Sequence, residues 1–407
     1  MELIPIISAM RRNFVGVGLI VLQMSVTLAV LCNSIFIVQQ RLSLSGRPTG
    51  TAEKEVFAIT MQWVGVPANP SASLLTDLAL LRSLPNVQDA YATNSYPMSQ
   101  NGSNDGVDPR PERQQPMSGA AVYFGDEHAI GTLGLQLIAG RNFNPSEILD
   151  HTDADHVAPA TVIITRDLSQ KLFPNEDPLG KVIWLTLQKG SSQIVGVVDR
   201  LEVPWVGTNS FMSAYDGYSM LEPFRYTAPY VTYMVRTRPG EVDSVMKAAQ
   251  EQLLITNKAR VFRTVESLET ARARAYRDDR GLAKVLITIC LALLSITSLG
   301  IVGLTSYWVA QRRHQIGIRR ALGANKLNIV GYFQTENIII TGSAALLGAL
   351  LALAINQWMV RSFEMMTLDF DYVVMSALII MALGQFSVVV PAIRASTIPP
   401  SIAIRET

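Results

Sequence analysis

Residues 13–40 read NFVGVGLIVLQMSVTLAVLCNSIFIVQQ, a run with no Asp, Glu, Lys, Arg or His. About 20 such residues carry a helix across ~30 Å of hydrocarbon, so this stretch is long enough to span a bilayer. Residues 285–311, 337–360 and 372–393 are equally free of charge. Arg11 and Arg12 precede the first run as they would a secretory signal. Its apolar length outlasts the roughly 7–15 residues of a signal core, and no small-x-small exit follows, so a retained anchor is expected. Cys32 follows Val30 and Leu31, bulky where a lipoprotein signal has small residues. The 407-residue chain is 49% hydrophobic and 16% charged, well under the ~25% charge of soluble domains, which points the same way. Two cysteines rule out a disulfide framework, and a net charge of +1 gives no reason to expect a nucleic-acid partner.

Lysines and arginines in short loops set orientation. Residues 312–328 hold Arg312, Arg313, Arg319, Arg320 and Lys326 without an acid, whereas 361–371 sets Arg361 against Glu364, Asp369 and Asp371. The expected order is a cytoplasmic interfacial helix over 1–13, spans over 14–40, 285–311, 329–360 and 372–393, and a cytoplasmic tail over 394–407. The loop 312–328 is then cytoplasmic, and both 41–284 and the short loop 361–371 lie outside.

Residues 41–284 are ordinary α+β sequence. VFAITMQW (56–63) alternates as a strand does, 71–84 has helical spacing behind Ser71 as N-cap, and 87–93 reads as strand. The pattern recurs at 230–236, 241–254 and 260–264. Two βαβ units so separated predict a split α/β subdomain closed by both ends of the loop. Between them, about 131–224, the β-rich runs 160–165, 182–187 and 193–198 predict a second, β-rich subdomain. The polar, aperiodic run 99–115 predicts a mobile loop.

No catalytic constellation is legible. GxxxxGK[ST] does not occur in the chain, so it offers no backbone cradle for phosphates. IVGVVD (194–199) mimics a Walker B strand and LSLSGR, with Ser45 and Gly46, an ABC signature, but both lie outside the membrane and read better as structure. Asp150, His151, Asp153, Asp155 and His156 form the densest set of potential metal ligands. A solvated acidic loop is the expectation there, and no metal or cofactor site is assigned. His128 and His314 have no dyad partner in the sequence pattern. Gln23, Asn33, Thr297, Ser298, Ser306 and Gln385 fall within spans, where they could line a path or bond between helices. Ala344, Gly348 and Ala352, four apart, predict close helix packing inside the protomer.

QRRHQIGIRRALGANKLN (311–328) is the most informative loop. Ile316, Ile318, Ala321 and Leu322 alternate with arginines in a short amphipathic segment that Gly323 breaks. Topology alone would supply the charge, but not an ordered apolar face. This segment resembles the R-x-x-E-I-G-I-R-R-A-L-G-A loop of the FtsX-like and MacB-like ABC transporter permeases, the type VII or mechanotransmission family, with Gln315 where the family commonly has Glu. LIAGRNF (137–143) and ITRDLSQKLFPNEDPLGKVI (164–183) are similar to phrases of the MacB-type periplasmic core domain, and PAIRASTIPPSIAIRE (391–406) to the family's C-terminal tail.

The resemblance implies an integral membrane protein with one span, an external α+β domain of a Porter-like subdomain and a Sabre-like insertion, then three spans, in a dimer. It implies that Arg312, Arg313, Gln315, Ile316, Arg319, Arg320, Leu322 and Gly323 form the surface coupled to an ATPase subunit. As only 13 residues precede the first span, ATP and Mg²⁺ are expected on that separate subunit, and this chain is expected to be non-catalytic. A second permease copy or a related permease, a periplasmic adaptor and an outer-membrane duct are the other implied partners. MacB-type export from the inner membrane is the leading expectation. Lipoprotein release of LolC/LolE type and FtsX-like control of a cell-wall hydrolase are the alternatives, with a membrane-anchored ecto-enzyme a distant third.

Overall fold

The computed structural model describes residues 13–65, 67–111, 116–152, 157–206, 215–363 and 366–397. The expected N-terminal interfacial helix and most of the tail lie outside them. The chain divides into two compact units, one of residues 1–45 and 279–407, the other Gly46–Asp278.

The first unit holds four helices long and apolar enough to cross a membrane: α1 (Phe14–Gly46), α7 (Arg277–Gln311), α9 (Lys326–Phe363) and α10 (Phe370–Ser396). Each continues past its uncharged run, because a helix ends where backbone partners end rather than where lipid does. Their shared core includes Met24, Leu28, Ile301, Trp308, Phe333, Ala344, Ile380 and Val388.

In the second unit, β1 (Val56–Trp63), α2 (Pro70–Ser83) and β2 (Val87–Thr93) form the first βαβ unit. The chain then leaves for the insertion, which carries β3 (Ser103–Asp108), β4 (Ser118–Phe124), α3 (Ala129–Leu133), β5 (Leu137–Gly140), β6 (Leu149–His151), β7 (Thr161–Thr165), α4 (Arg166–Leu172), β8 (Val182–Leu185), β9 (Gly190–Val198), β10 (Ser219–Glu222) and β11 (Phe224–Tyr226). It returns as β12 (Tyr230–Thr237), α5 (Val242–Thr256) and β13 (Arg260–Ser267), followed by α6 (Leu268–Ala275).

The outer elements make one antiparallel sheet, β13-β1-β12-β2, with Ile59 opposite both Tyr233 and Val265. This is the split βαβ arrangement. Phe57, Ile59, Met61 and Trp63 point to one face, where Leu74, Leu78 and Leu81 of α2 and Val245, Ala249 and Leu253 of α5 cover them. The expected N-cap moves from Ser71 to Asn69, whose side chain accepts from Ala72 N at 3.0 Å while Pro70 takes the first helical position, where a missing N–H costs nothing.

An ion pair invisible to periodicity locks this layer. Arg260 donates to both carboxylate oxygens of Asp77 at 2.8 and 3.0 Å, and the Tyr233 hydroxyl donates to Asp77 at 2.8 Å. Asp77 and Arg260 side chains are each 2% exposed, so α2, β12 and β13 meet at one buried charge pair.

The insertion begins earlier than expected, because β3 and β4 also belong to its sheet. Strands run β9-β7-β10-β4-β3-β8, and β8 pairs with β9 again, closing a six-stranded barrel beside which β5 flanks β9. Val107, Val122, Phe124, Val162, Ile164, Ile183, Ile194 and Met220 fill it. Alternate residues Ala121, Tyr123, Ile163 and Leu221 face outward into a second core with Val56, Ala58, Tyr91 and Met234 of the four-stranded sheet. Closure removes the free edges that a sheet of this size would expose.

The expected mobile loop at 99–115 is corrected over its middle, where β3 stands; residues 112–115 lie outside the described residues. Buried Asp105 accepts N–H bonds from Gly106, Thr186, Leu187 and Gln188, so a polar sequence pairs as a strand by satisfying the neighbouring turn.

Arg260→Leu should lower stability by about 3–5 kcal/mol, since it strands a buried carboxylate. Adding Asp77→Asn should recover part of that loss. Denaturant unfolding followed by intrinsic fluorescence measures both.

Candidate functional site

The basic loop is a helix. Arg312 precedes α8 (Arg313–Ala321), and Leu322 caps its end. Gly323 at φ +95 then reverses the chain, its N–H bonding Arg320 O at 3.1 Å while Ala324 N–H bonds Arg319 O at 3.0 Å. A Schellman cap of this form needs the left-handed conformation that glycine adopts without strain. After it, α9 starts at Lys326.

Two faces of α8 do different things. Ile316 and Gly317 turn inward, Ile316 joining Trp308, Val309, Ile329, Phe333, Ala392 and Ala395 in the helical core. The expectation that Ile316 belongs to a docking surface is therefore corrected: at 6% exposure it anchors the helix instead. Arg312 is an anchor too, its guanidinium bonding both Glu336 oxygens at 2.8–3.1 Å with the Glu336 side chain 3% exposed. Arg319 lies over the Tyr332 ring, 4.7 Å from its centroid, a cation–π contact. These contacts tie α7, α8 and α9 together at one end.

Ile318, Leu322 and Leu327 face out, at 45%, 83% and 82% exposure, with Arg313, His314, Gln315, Ala321 and Gly323 exposed around them. Arg320 is half-buried. Glu336 and Leu327 escaped the sequence reading; an acid at the head of an uncharged run and an apolar residue just after the basic turn were the available signals.

Within the spans several polar residues bond helix to helix, whereas both amide atoms of Gln385 are buried without a partner among the described residues. Ser25 Oγ lies 3.0 Å from Ala344 O, and the Asn33 amide donates to Ala352 O at 3.2 Å. Between these, a Cβ on Gly348 would stand 2.9 Å from both Leu28 Cβ and Ser25 O. The small stripe Ala344, Gly348, Ala352 is thus the seat of α1 on α9. Thr27 and Thr297 hydroxyls meet at 2.9 Å between α1 and α7, as do those of Ser298 and Ser387 between α7 and α10.

Of the remaining candidates, those that the structure describes make local contacts. Asp150 pairs with Arg225 at 3.1 Å, and His151 stacks on Phe224 with ring centroids 4.3 Å apart. Asp153, Asp155 and His156 lie outside the described residues. The Walker-like run is barrel strand β9, and Asp199 after it pairs with Arg166 at 2.8 Å. His128 Nδ1 lies 2.9 Å from Asp89. Burial raises the Asp126 and Glu202 carboxyls above their ordinary range, while the Arg141 guanidinium holds Glu147 below it.

The family model of the MacB-like periplasmic core domain matches residues 14–253, and that of the FtsX-like permease C-terminal region matches 287–400. Two proteins called macrolide export ATP-binding/permease protein MacB are similar. The one from Agrobacterium fabrum is 23% identical over 67% of this chain and 41% of its own length. The one from Campylobacter fetus subsp. fetus is 27% identical over 69% and 42%. The chain therefore spans about two fifths of these relatives. An uncharacterized ABC transporter permease, YknZ of Bacillus subtilis, is 24% identical over 67% of this chain and 66% of its own. Among solved structures, the periplasmic region of MacB from Actinobacillus actinomycetemcomitans aligns with TM-score 0.34 and 15% identity, over 57% of this chain and 97% of that one. The extracellular domain of YknZ gives TM-score 0.32 and 15% identity, over 51% and 100%.

Gly348→Leu should unseat α1 from α9 and lower the thermal midpoint of the detergent-solubilised chain, an overpacking cost of about 1–3 kcal/mol. Gly342→Leu, with nothing within 4 Å of its Cβ position, should leave it nearly unchanged.

Proposed function

The chain belongs to the family of FtsX-like permeases with a MacB-like periplasmic core domain, and from that premise we propose that it is the membrane subunit of a MacB-type ABC exporter, driven by ATP hydrolysis on a separate nucleotide-binding subunit. The observation that carries this reading is the apolar trio Ile318 on α8, Leu322 at its cap and Leu327 at the start of α9, exposed beside a short helix whose opposite face is anchored by Ile316 and the Arg312–Glu336 pair. A flexible charged loop would absorb a push. An anchored one passes it to α7 and α9.

In this reading α8 faces the cytoplasm, as its arginines favour, and receives the nucleotide-binding subunit through those leucines. Closure of that subunit on ATP shifts α8, and the spans carry the displacement to the extracytoplasmic domain, which drives substrate outward. The absence of a phosphate-binding loop from the 407 residues supports placing hydrolysis elsewhere. A second permease copy completes the transporter, and a periplasmic adaptor with an outer-membrane duct would continue the path.

The orientation is tested by single cysteines. One at Asn175 should react with an impermeant maleimide in intact spheroplasts, and one at Asn325 only after lysis; the reverse pattern sinks the reading.

Coupling is tested by Leu322→Asp, which places a charge on the exposed trio without touching the core. It should cut capture of the ATPase subunit and stimulated turnover about tenfold or more, as loss of a central apolar anchor does. Asn328→Asp, in the first turn of α9, should leave both near wild type.

A further inference from the structure

One end of the barrel holds a buried carboxyl with an incomplete set of partners. Glu222 ends β10 and is fully buried, on the same face of the strand as Met220 in the barrel lining. Its Oε2 accepts from Gln188 Nε2 at 2.8 Å, yet its Oε1 has no partner, and neither has the Oε1 of Gln188. Two acceptor oxygens are thus left over on the very pair of side chains that share one N–H···O bond. A carboxylate offers no hydrogen to mend this, and an unpaired buried acceptor is costly. A neutral acid does mend it, because its O–H can donate to the amide carbonyl while the amide N–H donates to the acid, a closed pair.

Gln188 sits in the turn 186–189 that joins β8 to β9. Asp105 already holds that turn by its backbone, accepting from Thr186 N, Leu187 N and Gln188 N. We propose that Glu222 is kept as the neutral acid, donating its proton to the Gln188 carbonyl oxygen, and that this pair latches the 186–189 turn over the barrel end until rising pH ionises it. On ionisation the proton passes to solvent, the acid loses its only donor, and the Gln188 carbonyl is again unpaired.

The surroundings favour this state. Asp105 on β3 acts on Glu222 with charge of the same sign. The β6–β11 ribbon that follows Glu222 in the chain brings His151, stacked on Phe224, and the Arg225–Asp150 ion pair. The lining from β4, β7, β8 and β9 is apolar, with Phe124, Ile164, Ile183, Leu185 and Ile194. Burial pushes the Glu222 carboxyl up from 4.5 to about 8, against the pull of the Gln188 bond. A group raised in this way favours the folded state fully below pH 4.5, and the advantage falls as pH climbs to about 8, the unfolding constant rising by up to about tenfold per unit.

The test uses the full chain in detergent. Infrared difference spectra on the wild type, with glutamate carbon labelled, should show a protonated carboxyl band at neutral pH that disappears above about pH 8 and is missing from Glu222→Gln. In parallel, unfolding of the extracytoplasmic domain is followed from about pH 5 to about pH 8. Glu222→Gln, whose amide can both donate and accept, should match wild-type stability at the acid end and lose the part of the pH slope due to this group. Absence of the wild-type band at neutral pH would overturn the proposal even if the variant failed to fold. So would a folded Glu222→Gln with the wild-type slope.

Discussion

Hydrocarbon offers no hydrogen-bond partners, and the helical unit is built on that constraint. Every backbone group in a span has to be satisfied within its own helix, which leaves side chains to decide how helices meet. Here they meet through small and polar residues. Ser25 and Asn33 reach across to the α9 backbone at Ala344 and Ala352, and Gly348 between them lets the two backbones close. Bonds of this kind contribute about 1 kcal/mol each. Their larger effect is on register, since a one-residue slip would bring a side chain to the place that only glycine fits.

The Arg312–Glu336 pair applies the same economy at the edge of the helical unit. Withdrawing both charges from water is expensive, and a bidentate geometry offsets the expense only when both partners are held in place. Arg312 sits at the α7–α8 junction and Glu336 a few turns into α9, so the pair fixes how the chain re-enters. With Ile316 packed behind it, α8 becomes a rigid extension of two spans. The Schellman turn at Gly323 then presents Leu322 outward. In the proposed mechanism this rigidity is what makes a contact with a partner into a movement of helices.

The extracytoplasmic unit answers a different problem, that of placing a large insertion into a small sheet without leaving edges. Inserting between two βαβ halves lets the four-stranded sheet close around the junction. The insertion closes on itself as a barrel, one face of its strands filling the interior and the other packing against the parent sheet. Sealing the barrel this tightly takes Asp105 and Glu222 out of water, with the Oε1 atom of the half-buried Gln188 beside Glu222. Asp105 is satisfied by backbone N–H groups, and Glu222 by the proton it keeps.

Much of this was legible in sequence because its causes are local. Uncharged length identifies a span, the β1 and β2 patterns matched to the residue, and the arginines with Gly323 marked a short amphipathic segment and its end, which the structure makes a helix. Strand β3 was not legible, since its polar residues pair only because Asp105 finds N–H donors in a turn some 80 residues away. The inward turn of Ile316, the Glu336 clamp and the Asp77–Arg260 lock were equally hidden. Sequence pattern records which residues prefer water and which do not; it carries no record of which distant partner relieves a buried charge or fills the space beside a glycine. Composition and period by themselves determined that this chain spans a membrane around an external α+β domain. Tertiary structure alone decided which arginine anchors, which isoleucine turns inward and which leucines remain exposed, because burial and pairing belong to neighbours that only folding brings together.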